Sequence, residues 1–346
     1  MERTSLGTTG IQVSRYCLGA MMFGAWGNRD HDDSIRIIHA ALDAGINFID
    51  TADVYSGGES EQIVGKAIKG RRDDVVLATK FVAPMGEDSN HRGSSRRWIV
   101  REVEASLRRL DTDHIDLYQA HRPDPSTDVD DTLSALSDLV HQGKVRAIGS
   151  STFPAEQIVE AQWVAERRGR ERFRCEQPPY SIFVRGIETS VLPTCQRYGM
   201  GVIPWSPLAG GWLTGRYRKG SPPPAGGRAR RTPERFDFER ADNQRKLDLV
   251  EDLLALADEA GLSLTHVSMA FVLEHPAVSS AIIGPRTMEQ LTDVLAGAGT
   301  RLADDVLDRI DAIVPPGTNV SAADTGWEPA SLRRSQRRRP RRPGAR

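Results

Sequence analysis

Four side chains within the first 121 residues of the chain could carry out proton transfer together. Asp50 ends the apolar run INFID, Lys80 ends VVLATK, His121 follows DLYQA, and Tyr55 lies in the loop just beyond Asp50. A phenol is a weak acid with a reference pKa of about 10, and a nearby cation stabilises the phenolate. Lys80 can supply that cation with Asp50 as its counter-ion, while His121 can orient a substrate oxygen. Such a set suits protonation of a carbonyl oxygen that becomes an alkoxide.

Each of the four residues also has an ordinary structural interpretation. Asp50 could cap a turn, Lys80 could be a surface cation, His121 could be a loop histidine, and Tyr55 could be a packed aromatic residue. Which interpretation holds depends on whether the surrounding elements bring the four side chains to one place.

Short apolar runs alternate with amphipathic stretches eight times along the chain. We predict strands at residues 15–20, 46–50, 74–80, 114–120, 145–151, 173–177, 200–205 and 279–284. Helices are predicted at residues 32–44, 59–70, 94–110, 130–143, 154–169, 186–199, within 240–275, and at 287–297. Many of the strands lack an alternating pattern, which is typical of parallel strands buried on both faces. The order predicts an α/β fold, the (β/α)8 or TIM barrel.

The barrel prediction brings the candidate residues together. Active sites of this fold lie at the C-terminal ends of the strands, and neighbouring strands are about 5 Å apart. We expect one barrel domain at residues 1–318, with an N-terminal hairpin at 5–14 and an extra C-terminal helix at 303–314. A long, polar and mobile strand-7 loop is predicted at residues 216–235. Residues 319–346 form a C-terminal segment.

The composition excludes several classes of function. The 346 residues are 39% hydrophobic and 27% charged, enough for a large core. The net charge of −1 does not indicate nucleic-acid binding. Residues 333–346 contain eight Arg and no acidic residue, so residues 1–332 carry −9. We expect this Arg-rich tail to be disordered.

Cysteine and histidine usage argues against metal sites and disulfides. The three cysteines are far apart, and the eight histidines form no metal-binding spacing such as HExxH. We therefore expect no metal and a cytoplasmic location. The N-terminus lacks the pattern of a secretory signal, and no apolar run approaches the ~18 residues of a membrane span.

Three motifs in order resemble the aldo-keto reductases: DTADVY (50–55), LATK (77–80) and YQAHRPDP (118–125). The resemblance runs from about residue 4 to residue 314. It implies a (β/α)8 barrel with an Asp–Tyr–Lys–His tetrad, NADP(H) as cofactor and a small-molecule aldehyde or ketone as substrate. The catalytic residues would be Asp50, Tyr55, Lys80 and His121. The oligomeric state is left open, including a homo-oligomer.

The resemblance also implies a set of cofactor-binding residues. Ser151 and Gln177 match positions that hold the nicotinamide carboxamide, and Trp205 matches an aromatic residue that stacks on the nicotinamide. Thr152 stands where the family often has Asn. The other matching positions are Ala20 and Met21 near the nicotinamide ribose, Ser206, Pro207, Leu208 and Gly210 along the pyrophosphate, Arg216 beyond that stretch, and Gln290 near the adenine, together with Asp50, Gly284, Arg286 and Asp293.

The segment IIGPRTMEQL (282–291) also predicts a phosphate site from its own physical chemistry. A strand runs into Gly284, and Thr287 with Gln290 fits a capping box that opens a helix. A helix N-terminus attracts phosphate, and Arg286 adds a fork-shaped donor. In the family such a residue binds the 2′-phosphate of NADPH. Val294 stands where the family often has Asn. No GxGxxG motif follows a strand, so a Rossmann site is unsupported.

Two alternatives to a general carbonyl reductase remain open. HRPDP and WSPLAGG resemble the branch that includes potassium channel β subunits, some of which act as cofactor-bound regulatory partners, but those subunits typically have Asn at the position of His121. DHIDLYQ, GSSTF and IIGPRT resemble bacterial reductases of nucleotide-linked keto-deoxysugars. The natural substrate is not predicted, because substrate loops vary independently of the barrel.

Overall fold

A computed structural model describes residues 1–222, 232–332 and 334–338 of the chain. The chain opens with an antiparallel hairpin of β1 (Arg3–Ser5) and β2 (Gln12–Ser14), which begins two residues before the predicted range of 5–14. The parallel strands that follow are β3 (Tyr16–Gly19), β4 (Phe48–Asp50), β5 (Val76–Phe81), β6 (Ile115–Ala120), β7 (Val145–Ser151), β8 (Cys175–Gln177), β9 (Gly201–Val202) and β10 (Ala281–Ile283).

These eight strands form one parallel sheet in the order β10-β3-β4-β5-β6-β7-β8-β9. A parallel bridge between Val202 and Val278 joins its two edges, and Ser279 N donates to Val202 O at 2.9 Å. The sheet therefore curls round on itself, and the prediction of a (β/α)8 barrel is confirmed.

The helices lie close to their predicted positions. They are α1 (His31–Asp43), α2 (Glu59–Ile68), α3 (Arg96–Leu110), α4 (Val129–His141), α5 (Ala155–Arg168), α6 (Val191–Tyr198), α7 (Ala241–Glu259), α8 (Leu264–Glu274), α9 (Met288–Ala296), α10 (Asp304–Ile313) and α11 (Arg334–Arg337). Side-chain caps explain several starts: Asp30, Ser95 and Asp128 accept backbone N–H bonds at the first turns of α1, α3 and α4. Helix α10 is the extra C-terminal helix.

The strands are buried on both faces, as their lack of alternation predicts. Leu117 packs inside the barrel with Phe48, Ala78, Cys175 and Ile203. Its neighbour Tyr118 belongs to the larger apolar layer between the sheet and the helices. The inner layer seals the barrel below the rim, so charged groups at the strand ends lie above an apolar floor.

Two predicted elements differ from the structure. The helix predicted at residues 186–199 is a 3-10 turn at Gly186–Thr189 followed by α6. Pro193 has no N–H to donate, and its ring would clash with the carbonyl of Thr189 in one continuous helix. The strand predicted at 200–205 pairs regularly only at Gly201–Val202, before Pro204 removes another donor.

Some predictions concern residues that the structure does not describe. Residues 223–231 of the predicted strand-7 loop lie outside the described residues, as do Arg333 and residues 339–346 of the predicted tail. Across the described part of the chain, no helix combines the length and apolar character needed to cross a bilayer.

Candidate active site

A buried ion pair lies at the centre of the barrel rim. Asp50 ends β4, Lys80 lies near the end of β5, and both are buried. Lys80 Nζ donates to Asp50 Oδ1 at 2.5 Å and to Thr51 O at 2.8 Å. Burial alone would lower the pKa of Lys80, but Asp50 and Tyr55 outweigh it and hold the pKa above its ordinary value. Lys80 is therefore an ammonium ion at neutral pH.

The third bond of Lys80 reaches the phenol of Tyr55. Lys80 Nζ lies 3.2 Å from Tyr55 Oη. Tyr55 begins a tight turn in which Ser56 has a φ of 51°, a conformation that non-glycine residues seldom adopt. Asp53 N donates to Lys80 O at 3.2 Å, which ties the start of this loop to β5. Trp26 lies against Tyr55 with ring centroids 5.9 Å apart.

His121 faces the same phenol from β6. Its ring meets Tyr55 edge-on, with centroids 5.7 Å apart, and its backbone N donates to Phe81 O at 3.0 Å. Burial, followed by the positive charges of Lys80 and Arg122, lowers the pKa of His121 well below its ordinary value. The imidazole is therefore neutral at pH 7. Its Nδ1 is sealed from solvent without a described hydrogen-bond partner.

Two amides hold the second oxygen of Asp50. Gln119 Nε2 donates to Asp50 Oδ2 at 3.1 Å, and Gln177 Nε2 donates to the same atom at 2.9 Å. Gln177 Oε1 accepts no hydrogen bond from a described residue and is not sealed from solvent. This oxygen can therefore accept a hydrogen bond from an amide N–H of a ligand. The role of Gln119 was not predicted.

Ser151 and Thr152 lie at the end of β7 and contact their predicted neighbours. Ser151 Oγ donates to Gln177 O at 2.9 Å. Thr152 has a φ of 61°, and its Oγ1 accepts from Trp205 Nε1 at 3.3 Å. Thr152 therefore orients the indole of Trp205.

The chain from Asn319 to Leu332, here called the C-terminal strap, packs back against this rim. Val320 N donates to Phe183 O at 2.9 Å. A Cβ placed on Gly326, whose φ is 78°, would lie 2.4 Å from Trp205 Cζ2. The main chain of the strap therefore lies directly against the Trp205 indole. Sequence reasoning missed this contact, because it joins positions 121 residues apart.

Asp324 anchors the strap through two cations. Arg235 Nη2 donates to Asp324 Oδ1 at 2.5 Å, and Lys246 Nζ lies 2.6 Å from Asp324 Oδ2. The Lys246 contact is ionic and lacks the alignment of a hydrogen bond. Both Lys246 and Asp324 are buried. The strap is thereby tied to α7 and to the loop that precedes it.

The predicted pyrophosphate-binding stretch follows Trp205 as a tight turn. Ser206 has a φ of 61°, its Oγ accepts from Gly210 N at 3.0 Å, and Gly210 itself has a φ of 72°. Leu208 is half-buried in this turn and Pro207 is buried, whereas Arg216 beyond it is exposed. 

Ala20 and Met21 lie at the adjacent end of β3. Ala20 N donates to Asp50 O at 2.8 Å, so this predicted ribose neighbour is directly beside the catalytic candidates. Met21 follows it in the loop and is half-buried.

The predicted adenine end lies at the start of α9. Thr287 Oγ1 accepts from Gln290 N at 3.3 Å, as in a capping box, but Gln290 Oε1 accepts from Arg286 N at 2.8 Å rather than from Thr287 N. The preceding Gly284 is exposed. The Asp293 carboxylate is exposed and lies 4.0 Å from His266 Nε2.

Two guanidinium groups near this end have no partner among the described residues and could bind an anion. Neither Arg216 nor Arg286 donates from its side chain to any described residue. Burial raises the pKa of Tyr217, and the positive charges of Arg216 and Arg286 oppose that rise. The two guanidinium groups therefore act electrostatically on the same phenol. Asn28, which was not predicted, fixes the loop by donating to Arg286 O at 3.2 Å.

No group of three or more metal-ligating side chains occurs among the described residues.

Arg122 is a further rim residue that was not predicted. Its Nη1 donates to His121 O at 2.5 Å, and its guanidinium carbon lies 5.8 Å from the centroid of a Trp205 ring. Its position directly after His121 was the available signal.

Comparisons with known proteins agree with this architecture. The model of the Aldo/keto reductase family matches residues 15–315. An uncharacterized oxidoreductase of Bacillus subtilis, YrpG, is 40% identical over 92% of this chain and 97% of its own length. The aldo-keto reductase YhdN of the same organism is 39% identical, over 84% and 87%. A probable voltage-gated potassium channel subunit beta of Oryza sativa is 36% identical, over 91% and 97%. The chain belongs to the aldo/keto reductase family.

Proposed function

We propose that this protein is an NADPH-dependent reductase that converts an aldehyde or ketone into an alcohol. The observation that carries the proposal is the contact of Lys80 Nζ with Tyr55 Oη at 3.2 Å, next to the neutral ring of His121. An ammonium ion held against a phenol stabilises the phenolate left after proton donation. Membership of the aldo/keto reductase family, which generally uses NAD(P)H, supports an oxidoreductase.

Each candidate residue has a distinct task in this proposal. Tyr55 donates a proton to the substrate oxygen, and Lys80 stabilises the charge that the phenol acquires. The neutral His121 donates its N–H to the same substrate oxygen and positions it. Asp50 keeps Lys80 charged and in place. When bound, NADPH supplies the hydride that reduces the carbonyl carbon.

The proposed cofactor residues offer the groups that a dinucleotide needs. Gln177 Oε1 is an open acceptor for the carboxamide, and Trp205 is a flat aromatic surface for the nicotinamide ring. The free guanidinium groups of Arg216 and Arg286 suit phosphate oxygens. Arg286 would pair with a 2′-phosphate, and such a pair favours NADPH over NADH.

A regulatory role is the second candidate, because several relatives have names that describe channel subunits. The Oryza sativa relative is named a probable potassium channel subunit beta, and a Schizosaccharomyces pombe relative at 32% identity carries a similar name. A purely regulatory protein would bind the cofactor without needing proton transfer. His121 and Tyr55, in contact as a pair, favour the enzyme.

The test is NADPH oxidation by the purified chain across aldehydes, quinones, keto-sugars and nucleotide-linked keto-sugars. We expect turnover with at least one class and a steep loss in Tyr55→Phe. Tyr198→Phe is the matched control, because Tyr198 lies on α6 and has no described hydroxyl bond. Tight NADPH binding with no turnover on any class would favour the regulatory role instead.

A further inference from the structure

Arg122 is enclosed by three residues of the candidate active site. Its Nη1 donates to His121 O at 2.5 Å and lies 3.4 Å from Ser151 Oγ. Its guanidinium stacks at 5.8 Å from the centroid of a Trp205 ring. These contacts hold the guanidinium at the ends of β6, β7 and β9, beside the residue proposed to position the carbonyl.

This arginine has no counter-ion in the part of the chain that the structure describes. Across residues 1–222, 232–332 and 334–338, no carboxylate oxygen lies within 4.0 Å of its side-chain nitrogens. Arg109, which is half-buried like Arg122, bridges Glu61 and Glu102. Arg122 is half-buried, and a partly desolvated cation gains from pairing with an anion.

Glu176 does not neutralise Arg122. Glu176 acts on Arg122 electrostatically but forms no ion pair with it. Its Oε2 accepts from Ser150 Oγ at 2.5 Å, and its Oε1 accepts from Phe153 N at 3.2 Å. Burial raises the pKa of Glu176 to about 7, so this group carries only part of a charge at neutral pH.

The free part of the guanidinium has the geometry of an anion receptor. Nε and Nη2 donate to no described residue, and neither atom is sealed from solvent. These two nitrogens share one edge of the planar group, which is the fork that binds two oxygens of a carboxylate or phosphate. Asp50 already pairs with Lys80, and His121 is neutral, so the partly charged Glu176 leaves the positive charge of Arg122 incompletely compensated.

We propose that Arg122 recognises an anionic oxygen group on the substrate, so that the preferred substrates are carbonyl compounds carrying a carboxylate or phosphate. The inference rests on the proposed carbonyl reductase function. A phosphate of the cofactor is a weaker match, because its proposed partners Arg216 and Arg286 follow β9 and β10. Arg122 follows β6 on the side of Tyr55 and His121.

A pair of aldehydes that differ in charge tests this assignment. We choose 4-formylbenzoate and its methyl ester, which share the ring and the aldehyde. A charge-assisted fork corresponds to a roughly tenfold to hundredfold preference in kcat/KM for the acid in the native chain. Arg122→Met should remove this preference, whereas Arg122→Lys should keep part of it because the charge remains without the fork.

Arg29→Met is the matched control variant. Arg29 is an exposed cation in the loop after β3 without an ion pair, so its loss tests general attraction of anions by surface charge. We expect the acid-to-ester preference to persist in this variant. Melting temperatures of all three variants show whether any change reflects unfolding.

Calorimetric titration of both aldehydes gives the same comparison without turnover. Binding that prefers the acid and depends on Arg122, but without NADPH oxidation, would retain the anion site and reject the proposed reductase function. Equal kcat/KM and equal affinity for acid and ester in the native chain would overturn the inference. A loss in Arg122→Met that is equal for acid and ester, together with weaker NADPH binding, would also overturn it and place Arg122 on the cofactor.

Discussion

The ammonium group of Lys80 touches both the carboxylate of Asp50 and the phenol of Tyr55, at 2.5 and 3.2 Å. The Lys80 ammonium thus contacts both a permanent counter-ion and the proposed proton donor. The pKa of Lys80 is raised because Asp50 and Tyr55 outweigh the effect of burial. The charge beside the phenol is therefore maintained at neutral pH.

Loss of the phenol or of its cation should abolish most of the reductase activity. Tyr55→Phe removes the proposed acid and keeps the ring, so kcat should fall by about 10²- to 10⁴-fold while NADPH binding persists. Lys80→Met should lower kcat steeply as well. The two defects should be far from additive in the double variant, since both residues serve one proton transfer. Additive losses would show that they act separately.

Arg286 should discriminate between the two nicotinamide cofactors. Arg286→Ala removes a free guanidinium that we expect to pair with the 2′-phosphate. Loss of a charge-assisted hydrogen bond costs about 1.5–3 kcal/mol, so the NADPH KM should rise roughly tenfold to hundredfold. The NADH KM should change little, because NADH lacks that phosphate. Steady-state kinetics with both cofactors checks this, and equal effects would refute the assignment.

A side chain at Gly326 should weaken binding of the nicotinamide end of the cofactor and leave binding of the adenosine end unchanged. A methyl group at this position would press into the Trp205 indole, so Gly326→Ala should weaken NADPH binding. Binding of adenosine 2′,5′-bisphosphate, which lacks nicotinamide, should be unchanged. Gly10→Ala is the matched control, since Gly10 has the same φ of 78° with nothing within 4 Å of its Cβ position. Identical behaviour of the two variants would show that the strap contact is irrelevant to binding.

The anchor of the strap should contribute strongly to stability. Asp324→Asn leaves Lys246 buried without its ionic partner, which typically costs about 3–5 kcal/mol. Asp248→Asn breaks the exposed contact with Lys219, which should change the free energy of unfolding far less. Urea unfolding of both variants measures the difference. Similar small losses in both would show that the buried contact is not a stabilising anchor.

Glu176 should make the stability of the chain depend on pH. Burial raises its pKa to about 7 from an ordinary value of 4.5. Between these two pH values the folded chain keeps a proton that the unfolded chain releases, so stability decreases as the pH rises through this window. The loss is about 3 kcal/mol once the window has been passed.

A neutral side chain at this position should remove that dependence. Glu176→Gln should flatten the decline in the free energy of unfolding between pH 4.5 and 7. Glu166→Gln, on the exposed face of α5, should retain it. The measurement is urea unfolding at a series of pH values. A decline of the same size in both variants would show that Glu176 is not its source.

Local patterns were sufficient to predict the barrel and the four candidate catalytic positions. Strand and helix periodicity is a property of short segments, and eight repeats of one order leave few topologies open. Because active sites of this fold lie at the strand ends, Asp50, Lys80 and His121 could be assigned to one rim from their positions alone. Pro193 shows the limit of such patterns, since its amphipathic surroundings predicted one helix where the structure has two elements.

Contacts between distant segments were decided only by the tertiary structure. Gly326 meets Trp205, and Asp324 meets Lys246, because the chain after α10 returns across the rim, and no local pattern encodes that return. The unpaired state of Arg122 is likewise invisible in the sequence, where acidic residues are plentiful. Whether a charge has a counter-ion depends on which side chains the fold brings within a few ångströms, and that is a property of the packed chain as a whole.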